Sequence, residues 1–244
     1  MLYLVGIGLW DEEDVSVRAL AAIKKCDAVY AEFYTNKWTG DLKKLENITG
    51  RKINVIKRHD VESERLTDEA KHRDVALLIP GDPLAATTHV QLMIDAKIKG
   101  VECRIVHSSS IYTAVAETGL QLYKFGRATT LVFLDDSFKP SSPYEVIMEN
   151  RKAGLHTLVL LDIREDNRYM TIRDGIEVLM KAGATLDPES KIIACCQIGG
   201  AEQRIRYGTM TELVKDDSLK GTPAVIIIPG RLHFKEEEAL RLYE

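Results

Sequence analysis

Short apolar runs alternate with amphipathic stretches along the first half of the chain, and this rhythm sets the expected architecture. Residues 2–7, 28–33, 53–57, 75–79 and 102–106 read as strands. Between them, 14–25, 61–72 and 88–99 carry the helical period; in the first, Val15, Val17, Leu20 and Ile23 recur at helical spacing. Strands alternating with helices through short polar connections predict βα units around a largely parallel sheet. After about residue 115 the rhythm changes. Strands are expected near 129–134, 157–163, 191–197 and 224–228, helices near 144–152 and 171–182, and a helix-like tail from 235. A long loop is expected over 135–143. The fold class is therefore α/β in two domains, 1–110 with a largely parallel sheet and 111–244 with a mixed one. No tandem repeat or low-complexity segment interrupts this pattern.

Composition narrows the function. With 244 residues and 45% apolar content the chain can build ordinary packed cores. A net charge of −4 argues against nonspecific nucleic-acid binding, which needs a basic surface. No run approaches the roughly 18–20 apolar residues of a membrane span. The first residues read directly as a strand, without a basic leader, so a cytoplasmic protein is expected. Cys26, Cys103, Cys195 and Cys196 have no metal-type spacing and read as thiols in a reducing compartment, with a disulfide or metal site as the weaker alternative.

The chemistry-bearing stretches follow strands. The first strand runs into Gly6-Ile7-Gly8-Leu9-Trp10-Asp11, which has two glycines of a dinucleotide fingerprint but Asp11 at the third position. Glu32, near the end of the next strand, stands where that fold places its ribose-binding acid. Gly81-Asp82-Pro83-Leu84-Ala85-Ala86-Thr87-Thr88-His89 follows the strand at 75–79. Its glycine permits close backbone approach, its proline fixes one φ, and its small residues leave room for a ligand. The plain alternative is a strand-to-helix connection capped by Thr87 or Thr88. His107-Ser108-Ser109-Ser110-Ile111-Tyr112 offers hydroxyls and amides for a polar ligand, or for a helix cap. Pro229-Gly230-Arg231-Leu232-His233 follows the last strand. Four such turns at strand ends suit a binding cleft built from loops.

At "VGIGLWDEEDVSV", "CDAVYAEFYT", "PGDPLAATTH", "SSIYTAVAETGLQLYKFG", "GLHTLVLLDI" and "IIIPGRLHF", spread in order from residue 5 to 234, the sequence resembles the diphthine synthases, a family of the tetrapyrrole-methylase superfamily. The resemblance implies a two-domain tetrapyrrole-methylase-like fold, each domain a sheet flanked by helices, with the active site in the interdomain cleft, and a homodimer. It implies S-adenosyl-L-methionine as methyl donor and S-adenosyl-L-homocysteine as product. The implied substrate is translation elongation factor 2, at a histidine already carrying a 3-amino-3-carboxypropyl group, whose amine is methylated repeatedly to diphthine. Carried over by motif, the donor contacts would be Leu9, Asp82, Ala85, Ser110, Ile111, Leu161, Ile198 and His233. The chain departs from the family where Gln197-Ile198-Gly199-Gly200 replaces an Arg-Ala-Gly-Ser-like run, and where Ser109 replaces a common proline. It is also shorter than expected around 164–190.

A sulfonium donor is already activated, so neither a glycine nest for pyrophosphate nor a metal is needed. His233 and Asp82 are candidates for a general base by location, although both are better explained as donor ligands. Tyr34, Tyr112 and Tyr123 are candidates for an aromatic lining around a quaternary ammonium product, with core packing the competing role for each.

Overall fold

The computed structural model describes residues 1–134, 140–164, 166, 168–181 and 186–244. Residues 135–139 of the expected long loop, and residue 182 of the expected second-half helix, lie outside them. The chain forms two compact units, Met1–Ile111 and Tyr112–Glu244.

The first unit runs β1 (Leu2–Gly6), α1 (Val17–Lys25), β2 (Ala28–Ala31), α2 (Leu42–Thr49), β3 (Ile53–Val55), α3 (Arg58–Val61), α4 (Arg65–Glu69), β4 (Val75–Ile79), α5 (Val90–Ile98) and β5 (Cys103–Val106). Its sheet is parallel throughout, in the order β3-β2-β4-β1-β5. Every residue of β1 and β4 is buried, as expected for central strands covered on both faces. Period-2 alternation divides the core. Tyr3 and Val5 pack with Ala19 and Ile23 of α1 and Leu45 of α2. Leu2 and Leu4 pack on the other face with Val61, Leu66, Leu92 and Ala96 of α3, α4 and α5.

Three local departures from the sequence reading have physical causes. The first helix begins at Val17, capped by the Ser16 hydroxyl on the Ala19 amide at 3.1 Å, while residues 12–14 form a separate 3-10 turn. The expected helix over 61–72 is two short ones, because the Ser63 hydroxyl takes the Asp60 carbonyl at 2.7 Å and competes with helix continuation. α2 was not expected. It buries only Leu45 and Thr49, and is bounded by Asp41 and by Gly50 at a φ of 67°.

A short helix, α6 (Ile111–Ala114), spans the join between the units. The second unit contains β6 (Thr129–Leu131), α7 (Ser142–Ala153), β7 (Thr157–Leu161), α8 (Ile172–Lys181), β8 (Lys191–Cys196), β9 (Arg204–Thr209), α9 (Met210–Leu213), β10 (Ala224–Ile228) and α10 (Phe234–Leu240). The sheet order is β6-β7-β10-β8-β9. Only β6 and β7 are parallel; β10 runs antiparallel to β7 and β8, and β9 to β8. β9 escaped the sequence reading because Arg204 and Arg206 alternate outward from an edge, leaving little apolar signal.

One face of this sheet, with Val159, Leu161, Ile192, Ala194, Cys196, Ile226 and Ile228, packs against Ile147 of α7, Ile176 of α8 and Met210 of α9. Gly175 allows α8 to approach closely, since a Cβ there would stand 2.9 Å from Leu161 Cδ2 and 3.0 Å from Ile226 Cδ1. All four cysteines are free thiols, and Cys26, Cys195 and Cys196 are buried. Among the described residues no helix is long and apolar enough to cross a membrane.

Ile176 is fully buried at the centre of the second core. Ile176→Ala should cost about 2–5 kcal/mol, read from the urea midpoint at an unchanged slope.

Candidate active site

In open parallel sheets ligands bind beyond the carboxyl ends of the strands, where connections leave in opposite directions. Here that point lies between β1 and β4: β1 leads across β4 to β2, whereas β4 leads across β1 to β5. The loops after β1, β4 and β5 meet there. Gly81 N donates to Gly8 O at 2.8 Å, and the two residues form an isolated antiparallel bridge. Gly6 packs so tightly that a Cβ would lie 2.6 Å from Gly81 O and 2.7 Å from Ser108 Cβ. Gly8 holds a φ of 87° and has the Asp14 side chain against it. By contrast, a Cβ on Gly81 would meet nothing closer than Ser109 O at 3.9 Å. The close-packed side and the open side of this junction are therefore distinct.

Asp82 ties the loops together. Its Oδ1 accepts from Leu84 N at 3.0 Å; its Oδ2 accepts from Ser108 N at 3.2 Å and faces His107 Nδ1 at 2.7 Å. Burial pushes the Asp82 carboxyl up, but these donors outweigh it and hold the group below its ordinary value. Ala85 follows in a tight turn, with its amide 3.2 Å from Asp82 O, and Ala86 takes a left-handed φ of 57°. A non-glycine residue in that region costs on the order of 1 kcal/mol, and such strain clusters at functional sites. The threonines do not cap α5. Its N-cap is His89, without a side-chain cap bond, and the Thr87 hydroxyl donates back to Pro83 O at 2.6 Å. The connection is thus more elaborate than a capped helix start. Ser110 is buried and Ile111 half-buried at the end of the β5 loop; Leu9 is half-buried after β1.

The dinucleotide alternative fails on geometry. Asp11 caps the 3-10 turn, and α1 starts eleven residues after β1 ends, so no helix N-terminus follows the glycines directly. Glu32 is fully buried. It accepts from Tyr34 N at 3.0 Å, Thr35 N at 3.1 Å and the Thr35 hydroxyl, and its complete burial closes it to a ribose. His89 Nε2 stands 3.6 Å from Glu32 Oε1. Burial brings His89 down to about 4, so its ring is neutral at neutral pH, and burial pushes the Glu32 carboxyl up. The Arg58 guanidinium already covers the Tyr34 ring at 5.3 Å, while Tyr112 and Tyr123 are exposed.

In the second unit the expected donor residues divide by strand direction. Leu161 and Ile198 follow one end of the sheet, because Val225 pairs with Leu160 and Ala224 with Cys196. Ile228 pairs with Thr157, so the chain leaves β10 towards His233 at the other end, roughly 13 Å of strand away. The Leu161 side chain lies in the core; only its backbone is open to a ligand. Ile198 is buried beside Gln197, which has a φ of 55°. His233 is the exposed N-cap of α10, its Nδ1 accepting from Lys235 N at 3.3 Å.

Beneath His233 is a polar knot that the sequence reading missed. Glu236 and His156 are fully buried. Glu236 accepts from His233 N at 2.7 Å and Gln121 N at 2.9 Å, meets His156 Nε2 at 3.0 Å, and pairs with the Lys124 ammonium. Gly230 N donates to His156 Nδ1 at 3.0 Å, so the ring proton is on Nε2 and points to Glu236. Burial pushes Glu236 up, yet Lys124, the two amides and His156 together bring it down to about 2. The capping spacing His233-x-x-Glu236 was the available signal.

The family model for Tetrapyrrole (Corrin/Porphyrin) Methylases matches residues 1–214. The chain belongs to the tetrapyrrole methylase family. Within it, the chain is 45% identical to the diphthine synthase of Methanocaldococcus jannaschii, covering 99% of this chain and 98% of that one. It is 45% identical to the diphthine synthase of Methanothermobacter thermautotrophicus over 98% and 94%. A crystal structure of a diphthine synthase superposes with a TM-score of 0.92 at 36% identity, covering 99% of this tetrapyrrole methylase and 95% of the other chain.

Two outcomes follow. Gly6→Ala forces Gly81 O or Ser108 to move, so it should destabilise the first unit by about 1–3 kcal/mol in urea unfolding. Glu236 is depressed from 4.5 to about 2, so its stabilisation is complete above pH 4.5 and is lost as pH falls from there towards 2. Glu236→Gln should flatten that part of the stability curve and cost about 3 kcal/mol at pH 7, measured by denaturation at a series of pH values.

Proposed function

We propose that this tetrapyrrole methylase transfers methyl groups from S-adenosyl-L-methionine to the amine of the 3-amino-3-carboxypropyl-histidine of translation elongation factor 2, giving diphthine. The observation that carries this reading is the meeting of three strand-end loops at the switch point of the first sheet, with an open side beside Gly81, in a chain alike along its length to diphthine synthases. The small residues Ala85 and Ala86 and the absence of a Gly81 side chain suit a bulky donor. The same motifs disfavour a tetrapyrrole or ribosomal-RNA substrate and a nonenzymatic adenosine-binding module.

Leu9, Asp82, Ala85, Ser110 and Ile111 of the first unit would hold the donor; the resemblance adds Leu161 through its backbone and Ile198 at one end of the second sheet, and His233 at the other. When bound, the donor supplies an activated methyl group on a sulfonium. The protein's part is placement: rigid loops that hold the amine in line at near-contact distance can contribute ~7–11 kcal/mol. Asp82 keeps the β4 and β5 loops in register and, being ionised, gives the site the negative potential that suits a sulfonium. The acceptor amine must shed its proton before attack, and a site that excludes water lowers the ammonium pKa. A homodimer working in the cytoplasm completes the proposal.

The deciding experiment incubates the purified protein with methyl-labelled donor and elongation factor 2 carrying the 3-amino-3-carboxypropyl group. Label on that histidine, with stepwise methyl increments by mass spectrometry, is expected. Label on a tetrapyrrole or on RNA, or no transfer, overturns the reading.

A further inference from the structure

We propose that His89 is a positioning residue for the methyl donor, its ring coupling donor binding to a hydrogen bond with Glu32 that fixes the far end of the loop after β4. The proposal deepens the function proposed above and rests on it. Among the described residues four buried side-chain polar atoms make no hydrogen bond, and all four belong to the loops after β2 and β4. They are the Tyr34 hydroxyl, Trp38 Nε1 and both ring nitrogens of His89. A buried polar group in that condition carries its desolvation penalty with nothing to offset it, so a concentration of them in one place calls for a cause.

Local structure gives no reason for a histidine here. Position 89 is the N-cap of α5, where Ser, Thr, Asn or Asp would satisfy the first amides. The ring makes no cap bond and is 1% exposed, 6.3 Å from the Tyr34 ring between centroids. Packing alone would accept an apolar ring. What His89 meets is polar: Nε2 stands 3.6 Å from Glu32 Oε1, a few tenths of an ångström beyond a hydrogen bond. The Pro83 carbonyl also faces the ring, without the geometry of a hydrogen bond. A neutral imidazole has one N–H and one lone pair, so it can bond the Glu32 carboxyl whichever of the two holds the proton. Glu32 is a firm post. Its amide donates to Leu78 O of β4 at 3.1 Å, and the amides of Tyr34 and Thr35 hold its carboxyl.

The loop that ends at His89 is tied at its start, where Gly81 bridges to Gly8 and Asp82 accepts from Ser108 N. Between those ties and His89 lie Ala85, proposed to touch the donor, and Ala86 with its left-handed φ of 57°. A strained backbone persists where its surroundings over-determine it. The Thr87 hydroxyl holds Pro83 O at 2.6 Å, so the turn moves as a unit and a displacement at Ala85 is passed on to His89. A donor seated on Ala85 closes the ring onto Glu32; the bond, once made, holds Ala85 and Ala86 for the donor. Linkage makes the two effects equal in size.

The test compares wild type with His89→Phe, which keeps a ring beside Tyr34 and removes both nitrogens, and with His89→Gln, which returns a polar group towards Glu32. Affinity for S-adenosyl-L-homocysteine is read by calorimetry, beside the melting curve of each protein without it. His89→Phe should weaken binding at least tenfold and His89→Gln should recover part of the loss. The melting temperature of His89→Phe should not fall, because nitrogens without partners contribute nothing to stability. In wild type the ring nitrogen resonances of His89, assigned by comparison with His89→Gln, should shift when S-adenosyl-L-homocysteine is added. That measurement decides the matter even if His89→Phe does not fold: resonances that stay in place overturn the coupling. Unchanged affinity in His89→Phe overturns the positioning role and leaves the methyltransferase reading intact. An equal loss in His89→Gln makes ring volume the cause and overturns the hydrogen bond. No binding of S-adenosyl-L-homocysteine by wild type overturns both readings.

Discussion

The candidate site depends on two backbones lying closer than any side chain allows. Gly6, Gly8 and Gly81 bring the loops after β1 and β4 into hydrogen-bonding contact, and the Ser108 side chain closes over the same junction. Glycine at Gly6 is required for space; at Gly8 it is required for both space and a positive φ. Once the loops are joined, the Asp82 carboxylate has donors on both sides, and its hydrogen bonds fix the loop after β5 as well. A tight floor on one side of Gly81 leaves an open face on the other, and the small residues that follow keep it open.

The second unit solves a similar problem differently. Gly230 allows the chain leaving β10 to press against the end of α7, and a buried carboxylate, rather than a glycine bridge, locks the turn. Glu236 would be costly to bury alone. Four hydrogen-bonding partners surround it, one of them the ammonium of Lys124, so the charge is compensated. The result is a rigid support under His233 and Arg231, two residues whose side chains remain exposed.

Much of this was readable in the sequence because the relevant signals were local. β4 and β10 occupy 75–79 and 224–228, the residues marked by uninterrupted apolar runs. The loops after them carry their own conformational signature in Gly-Asp-Pro and Pro-Gly-Arg. What escaped had no apolar signature or depended on direction. α2 offers a single buried leucine, and β9 shows two arginines where a pattern search seeks valines. Strand direction in the second sheet is the larger case: apolar periodicity is blind to it, so the separation of His233 from Leu161 and Ile198 became visible only from the pairing register. The Glu236 knot joins Gln121, Lys124, His156 and His233, residues up to 115 positions apart, and of these contacts the His233-x-x-Glu236 capping spacing alone is local.

The contrast between the two loop systems bears on the chemistry. A diphosphate is held by a helix N-terminus placed directly after a glycine turn, because the ligand brings charge that the amides must neutralise. Here the glycine turn after β1 is followed by a 3-10 turn headed by Glu12, Glu13 and Asp14, and α1 begins only afterwards. That arrangement removes positive potential from the junction and sets an ionised aspartate in it. A cation-bearing donor is the better electrostatic match.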